Sequence, residues 1–324
     1  MQPEILEIVS GRGNPGIDPT MHIWGWEVPV YLFLGGLVAG LMVLLPALEL
    51  RGGRRPGRGL SRLMPFAAVG LVSLGMGALF LDLENKLHVF RFYLAFKPTS
   101  PMSWGSWILL LVYPALLLLG LGSMASSQRQ WLKEHVPAPL TGLLQRAFDA
   151  ADRARTAVLW TTGATGLALG AYTGLLLGTL VARPLWNSAL LGPLFLVSGI
   201  STGAALLLLT PMSAEEHRTL TRWDVVAITT ELALLALLLV DLAGGGASSS
   251  AAGSALLGGA YTPTFWALVV VGGLAVPLLL DTVELRRRLP ATLYSPVLVL
   301  IGGLALRWVL VAAGQQSSLG GLIP

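Results

Sequence analysis

The sequence predicts an all-α membrane protein of eight transmembrane helices, and three observations carry that prediction. The chain of 324 residues is 54% hydrophobic and only 12% charged, against about 25% charged in soluble domains. Eight apolar runs are long enough to cross a hydrocarbon core about 30 Å thick. Basic residues gather in alternate loops, as in multi-pass proteins oriented by positive charge.

The runs fall at 28–50, 63–81, 107–123, 156–181, 189–209, 225–242, 264–280 and 293–313. The first is too long for a cleavable signal peptide and follows Glu4, Glu7 and Asp18 rather than a basic start. It carries Leu32-Phe-Leu34, Gly36, Gly40 and Pro46, while the fifth carries Leu194-Phe-Leu196, Gly199, Gly203 and Pro211. Two readings stand side by side: duplication of a four-helix unit, or the small-residue spacing found wherever transmembrane helices approach closely. The loops after runs one, three, five and seven hold fifteen of the 21 Lys and Arg. That asymmetry puts both termini, including the segment 1–26, and the loop after run two on the non-cytoplasmic side. Little chain is left for a soluble domain, so any chemistry belongs to the bundle or its surfaces. A nucleic-acid partner is not expected, because the arginines abut the runs without interleaved aromatic residues.

The loop after run two, from Asp82 to Gly105, is charged and aromatic. Leu83, Leu87, Phe90 and Leu94 recur at helical spacing, with Glu84, His88 and Arg91 on a stripe beside them. That pattern suits one amphipathic helix lying in the membrane interface. Pro98 and Pro101 turn the chain back, and Trp104 and Trp107 begin the next run at an aromatic belt.

Absences narrow the chemistry. The chain has no cysteine, and therefore no thiolate-held iron–sulfur cluster, disulfide or thiol nucleophile. The four histidines, His22, His88, His135 and His217, fall outside the apolar runs, whereas a buried haem calls for histidines on facing helices. No haem, iron–sulfur cluster or metal is expected in this chain. Gly11-Arg-Gly13 and Gly244-Gly-Gly246 do not join a strand to a helix, as a phosphate loop would.

Polar groups inside a span are costly and default to functional candidates. Glu27 and Tyr31, four residues apart, share a helix face near the outer end of the first run. Tyr172 precedes Arg183 by eleven residues, which puts it roughly 16 Å inward. All three can line one pocket, although an interfacial carboxylate and packing phenols account for them equally well. In the second half, Asp241 and Arg307 stand at similar depth, and a structural ion pair is the simplest expectation. Glu231 has no evident partner, which leaves a proton-relay group and a neutral hydrogen-bonding carboxyl as alternatives.

Trp24-Gly-Trp26, Tyr31-Leu-Phe-Leu-Gly-Gly36, the Asp82–Leu83 exit of run two, Arg91-Phe-Tyr93, Ser100-Pro-Met-Ser-Trp-Gly105 and Gly170-Ala-Tyr-Thr-Gly174 together resemble the NrfD/PsrC family. These are the integral-membrane subunits of polysulfide reductase-like respiratory complexes. The resemblance runs over most of the chain and implies two four-helix bundles, here 27–181 and 182–324. It implies a quinone, menaquinone or ubiquinone, held among the first four helices. Electrons would pass between that quinone and a ferredoxin-like iron–sulfur partner attached to a catalytic subunit, whether molybdopterin enzyme, hydrogenase or cytochrome. Carried over residue by residue, Tyr172 matches a quinone-contacting tyrosine. Glu27 and Tyr31 match polar quinone-facing positions, where the polysulfide reductase subunit has Asn and His. The implied location is the bacterial or archaeal cytoplasmic membrane.

On that reading Asp82 and His88 are candidate proton carriers toward outer water. Glu231 is the candidate for transfer through the bundle, with Glu49 and Asp281 the other acids at middle or inner depth. Arg91 and Lys97 are candidates for docking the partner, Lys97 equally for anchoring to headgroups. Two other classes compete: a secondary transporter with a mid-membrane polar site, and an inert membrane anchor. Pro211 and Pro277 stand near the ends of their runs, which speaks against the broken helices of a transporter.

Overall fold

The computed structural model describes residues 24–52, 62–83, 86–94, 96–180, 183–287 and 292–317. Glu84 and nearly all of the segment 1–26 lie outside the described residues. Within them the regular structure is helical: α1 (Glu27–Gly52), α2 (Met64–Asp82), α3 (Arg91–Leu94), α4 (Pro101–Ser123), α5 (Ser126–His135), α6 (Ala138–Arg153), α7 (Arg155–Gly178), α8 (Leu191–Leu208), α9 (Ala214–Gly244), α10 (Ala247–Leu257), α11 (Thr262–Arg287) and α12 (Tyr294–Gln316). Seven of them, α1, α2, α4, α8, α9, α11 and α12, are long and apolar enough to cross a membrane. The protein is a multi-pass membrane protein.

The run expected at 156–181 forms α7. It has 24 residues, ample length at 1.5 Å per residue, but it is not apolar enough to stand with the seven. Two of its hydroxyls are turned onto its own backbone, Thr165 to the carbonyl of Thr161 and Thr173 to that of Gly170, while Thr162 donates to the Ala115 carbonyl of α4. Protein covers it as well, since it packs against α1, α4 and α8. The loop after α4 contains two helices that the apolar runs did not announce. Arg129 of α5 grips Asp152 of α6 through Nη1 at 2.5 Å and Nη2 at 2.9 Å. Phe148 of α6 is buried beneath the guanidinium, 4.9 Å from its ring centre. The bond to Asp152 raises the pKa of Arg129 above its ordinary value.

α1 packs extensively against α2, α7 and α8 and more lightly against α12. The two Gly-x3-Gly patterns meet each other at this crossing. A Cβ on Gly40 would stand 2.0 Å from the Gly199 carbonyl oxygen, and one on Gly203 would stand 2.7 Å from the Gly40 backbone. Close helix approach therefore accounts for both patterns.

The segment after α2 is not one amphipathic helix. A 3₁₀ turn at Lys86–His88 is followed by the four-residue α3, so the expected apolar stripe is broken into two short pieces. Leu87, Phe90 and Leu94 are all exposed. The segment then folds onto the start of α4. The Lys97 backbone N–H donates to Ser103 Oγ at 3.0 Å, the Trp104 indole donates to the Pro98 carbonyl at 2.7 Å, and Phe96 meets Trp107 edge-on. These contacts close the segment onto α4.

Candidate functional site

The end of the protein remote from α5 and α6 gathers phenols. Tyr31, one turn into α1, and Tyr172, six residues before the end of α7, are both buried. Tyr31 interacts electrostatically with Tyr172 and with Tyr93 of α3. Because α7 ends at Gly178, Tyr172 is only about 9 Å from its helix end at 1.5 Å per residue. That is shallower than its distance from Arg183 implied, and it matches the depth of Tyr31. Gly105 on α4 makes room for the phenol of Tyr172, since a Cβ there would lie 2.1 Å from the hydroxyl oxygen. Tyr93 is half-buried, and burial followed by the neighbouring Tyr113 phenol pushes its pKa up. Tyr113 lies 3.2 Å from Ser73 Oγ. Ser73 itself donates to the Val69 carbonyl at 2.8 Å, which leaves Tyr113 as the donor of the pair.

Two carboxylates lie at the same end. Glu27 opens the first turn of α1, where the helix dipole favours a negative charge. It lies within electrostatic range of Asp82 at the end of α2. His88 is exposed, its ring 6.4 Å from that of Phe90. Arg91 and Lys97 are also exposed. The structure thus draws Tyr31 and Tyr172 together and Glu27 toward Asp82, and leaves His88, Arg91 and Lys97 on the surface.

The second half corrects two expectations. Asp241 and Arg307 do not pair. Asp241 Oδ2 accepts from Ser188 Oγ at 2.7 Å. Arg307, fully buried, donates through Nη1 to Ser198 Oγ at 2.6 Å and to the Gly303 carbonyl at 3.0 Å, and lies over the Phe195 ring. Glu231 is not partnerless either, because it interacts with the same Ser198 hydroxyl and with the charge of Arg307. The cation expected opposite Asp241 serves the deeper carboxylate, about 15 Å further along α9. A third acid changes role in the first half. Glu49 receives a two-point bond from Arg155, at 2.7 Å from Nε and 2.5 Å from Nη2. Arg155 also reaches Ser123 Oγ at 3.0 Å. This is a structural clamp among α1, α4 and α7.

Comparison with known proteins identifies the family of the whole chain. The sequence matches the family described as Polysulphide reductase, NrfD, over residues 16–318. The protein belongs to the NrfD family. It is 32% identical over 311 residues to Protein NrfD of Escherichia coli K12, spanning 90% of this sequence and 95% of that protein. It is 29% identical over 306 residues to a polysulfide reductase chain of Wolinella succinogenes, with 90% and 94% spanned. A putative dimethyl sulfoxide reductase membrane subunit of Halobacterium salinarum is 27% identical over 314 residues, with 90% and 69% spanned.

Within this NrfD-family protein, sequence reasoning reached Tyr31 and Tyr172 but missed Tyr93, Tyr113 and Gly105 as parts of the same cluster. Arg91-Phe-Tyr93 and Ser-Pro-Met-Ser-Trp-Gly105 carried the signal as motifs. Their arrangement appears only in the fold, where the loop carries Tyr93 to Tyr31 and α4 places Gly105 at the Tyr172 hydroxyl.

Proposed function

We propose that this protein is the quinone-reactive membrane subunit of a respiratory oxidoreductase complex. It would exchange electrons between the membrane quinone pool and an iron–sulfur partner subunit that serves a catalytic subunit. The observation that carries this reading is the buried Tyr31–Tyr172 pair, with Tyr93 beside it and Gly105 clearing space at the Tyr172 hydroxyl. A bound quinone supplies two-electron, two-proton chemistry at a ring with two carbonyl oxygens. Phenols fit such a ligand because a neutral phenol is a directional donor, and among the described residues Tyr113 is the one phenol of this cluster with a hydroxyl partner. Tyr172 and Tyr31 would orient the ring by donating to its oxygens. Glu27 and Asp82 would take and release protons at the adjoining surface. The exposed apolar residues Leu87, Phe90 and Leu94, flanked by Arg91 and Lys97, support a docking face for the partner on the same side. The names of two relatives, a polysulfide reductase chain and a putative dimethyl sulfoxide reductase membrane subunit, support a redox assembly.

The eight-span, two-bundle organisation and the placement of this end outside the cytoplasm belong to the same proposal. They rest on α7 as an eighth span and on the basic residues of alternate loops. The test is quinol turnover by the complex copurified through this protein, in wild type and Tyr172→Phe. Losing one buried hydrogen bond of about 1 kcal/mol should slow turnover about fivefold with assembly intact. Normal quinol kinetics in a fully assembled variant would remove the phenol cluster from the site. Absence of any quinol reaction in the wild-type complex would favour the inert anchor.

A further inference from the structure

Helix α9 places His217, Asp224 and Glu231 at seven-residue intervals. They therefore share one face, each about 10 Å from the next along the axis. Asp224 is completely buried. Its Oδ1 accepts from Ser201 Oγ of α8 at 2.6 Å, and its Oδ2 has no hydrogen-bond partner. Asp281 of α11, 2% exposed, interacts with it from the facing helix. Ser295 of α12 adjoins Asp281, yet neither Asp281 Oδ2 nor Ser295 Oγ completes a hydrogen bond. Asp281 also interacts with Glu284 and His217, and His217 Nε2 meets Glu284 Oε1 at 2.8 Å. That last pair is partly exposed, on the side of the basic loops. In the other direction Asp224 interacts with Glu231, which shares Ser198 with Arg307.

A scaffold role would set a cation against each buried acid, as Arg155 stands against Glu49. Among the described residues Arg307 is the one cation on the line, and it sits at the far end. Helices α8 and α10 contain no ionisable residue. On α12 the other titratable group is Tyr294, which is exposed, as are Arg218, Arg222, Arg286 and Arg287. Asp224, with one oxygen bonded to a hydroxyl and the other bare, is suited to carrying a proton and passing it on, and the Oδ2 of Asp281 is bare as well. No group of three His, Cys, Asp or Glu able to hold a metal occurs among the described residues.

We propose that these side chains form a proton path from the basic-loop face to the centre of the molecule, with His217 and Glu284 at its mouth, Asp281 and Asp224 as carriers and Glu231 as its inner end. The hydroxyls of Ser295, Ser201 and Ser198 stand beside the successive acids. A proton taken from water at the mouth passes to Asp281, then Asp224, then, by way of water molecules bridging the roughly 10 Å between them, to Glu231. Each donor is left as a carboxylate and regains its proton from the group behind it. The path ends where the two halves of the protein meet. The Arg307 guanidinium lies against Gly36 of α1, 3.0 Å from where a Cβ would be, and Gly36 is about 7.5 Å along α1 from Tyr31. A charge change among the phenols is thereby felt by Arg307 and, through it, by Glu231.

The path rests on the quinone reading only for its driving force, so two measurements on the copurified complex separate the two ideas. The first is infrared spectroscopy after transfer to deuterated buffer. Carboxylic-acid bands should shift by deuterium exchange, and one should be missing in Asp224→Asn; bands that do not exchange would overturn the path whatever the quinol activity. The second is quinol-driven proton movement in proteoliposomes. Asp224→Asn and Asp281→Asn, assembled as wild type, should lower protons moved per quinol to about half or below. Unchanged coupling in both variants, coupling that follows sodium concentration, or wild-type turnover that moves no protons would each sink the proposal. Exchange of the bands in a complex with no quinol turnover would keep the path and discard the quinone reading.

Discussion

Glu49 and Asp224 are both buried acids near the basic-loop end of the protein, one in each half of the sequence, and their surroundings are opposite. Glu49 is held by both ends of an arginine and adjoins Ser123 through it. Asp224 has a single hydroxyl and a bare oxygen. The same contrast separates the wider regions: the first half presents neutral phenols at one end and a sealed ion pair at the other, while the second half runs a line of acids between its centre and the basic face. Burial by itself therefore does not mark function. What separates Glu49 from Asp224 is that the charge of Glu49 is neutralised in place by an arginine.

The largest expected effect attacks that contrast from the first half. Arg155→Ala strands Glu49 without its cation, and breaking a buried pair costs on the order of 3–5 kcal/mol. A marked fall in the thermal midpoint in detergent, partly restored when Glu49→Gln is added, would support the clamp. An unchanged midpoint would show that Glu49 is solvated and no different in kind from Asp224.

Gly105→Ala should come next. The new methyl would occupy the position of the Tyr172 hydroxyl, 2.1 Å away, and displacing a positioning group by about 1 Å can cost up to 100-fold in rate. Quinol turnover should fall well below that of Tyr172→Phe, while partner copurification persists. Turnover equal to wild type would mean that the phenol position is irrelevant to the reaction.

Asp224→Asn sharpens the comparison from the other half. The amide oxygen still accepts from Ser201, and no cation loses its partner, so stability should change by no more than about 1 kcal/mol. A loss as large as that of Arg155→Ala would class Asp224 with the structural acids.

The smallest effect concerns orientation alone. A cysteine at Thr99 and one at Ser127 sit at opposite ends of the structure, both exposed, and the protein has no cysteine of its own. A membrane-impermeant thiol reagent should label the first from the non-cytoplasmic side and the second only after the other face is opened. The reverse pattern would invert the direction assigned to both regions.

Several features were legible without coordinates because they follow from local composition and period. Long apolar runs must be helical in a membrane, where each backbone group has to be satisfied within its own segment. Seven of the eight expected runs recur as long apolar helices, and the eighth as the more polar α7. Glycines at four-residue spacing announced a close crossing, and the motifs around Tyr31, Tyr93, Gly105 and Tyr172 announced the family. The sequence alone also flagged Glu231 as an acid in need of an explanation.

Tertiary structure decided which side chains meet. Arg307 serves Glu231 rather than Asp241 because α8 inserts Ser198 between the two deeper groups and gives Asp241 a separate partner, Ser188, in the segment before it. Glu49 left the set of proton candidates because an arginine 106 positions away reaches it. The loop after α2 did not become one amphipathic helix: a 3₁₀ turn and the short α3 break its apolar stripe, and its polar groups close onto α4. Depth along a helix can be counted from sequence at a fixed rise per residue. The azimuth of one helix against another is set by packing, through contacts such as the one where Gly40 of α1 lets the backbone of α8 come close.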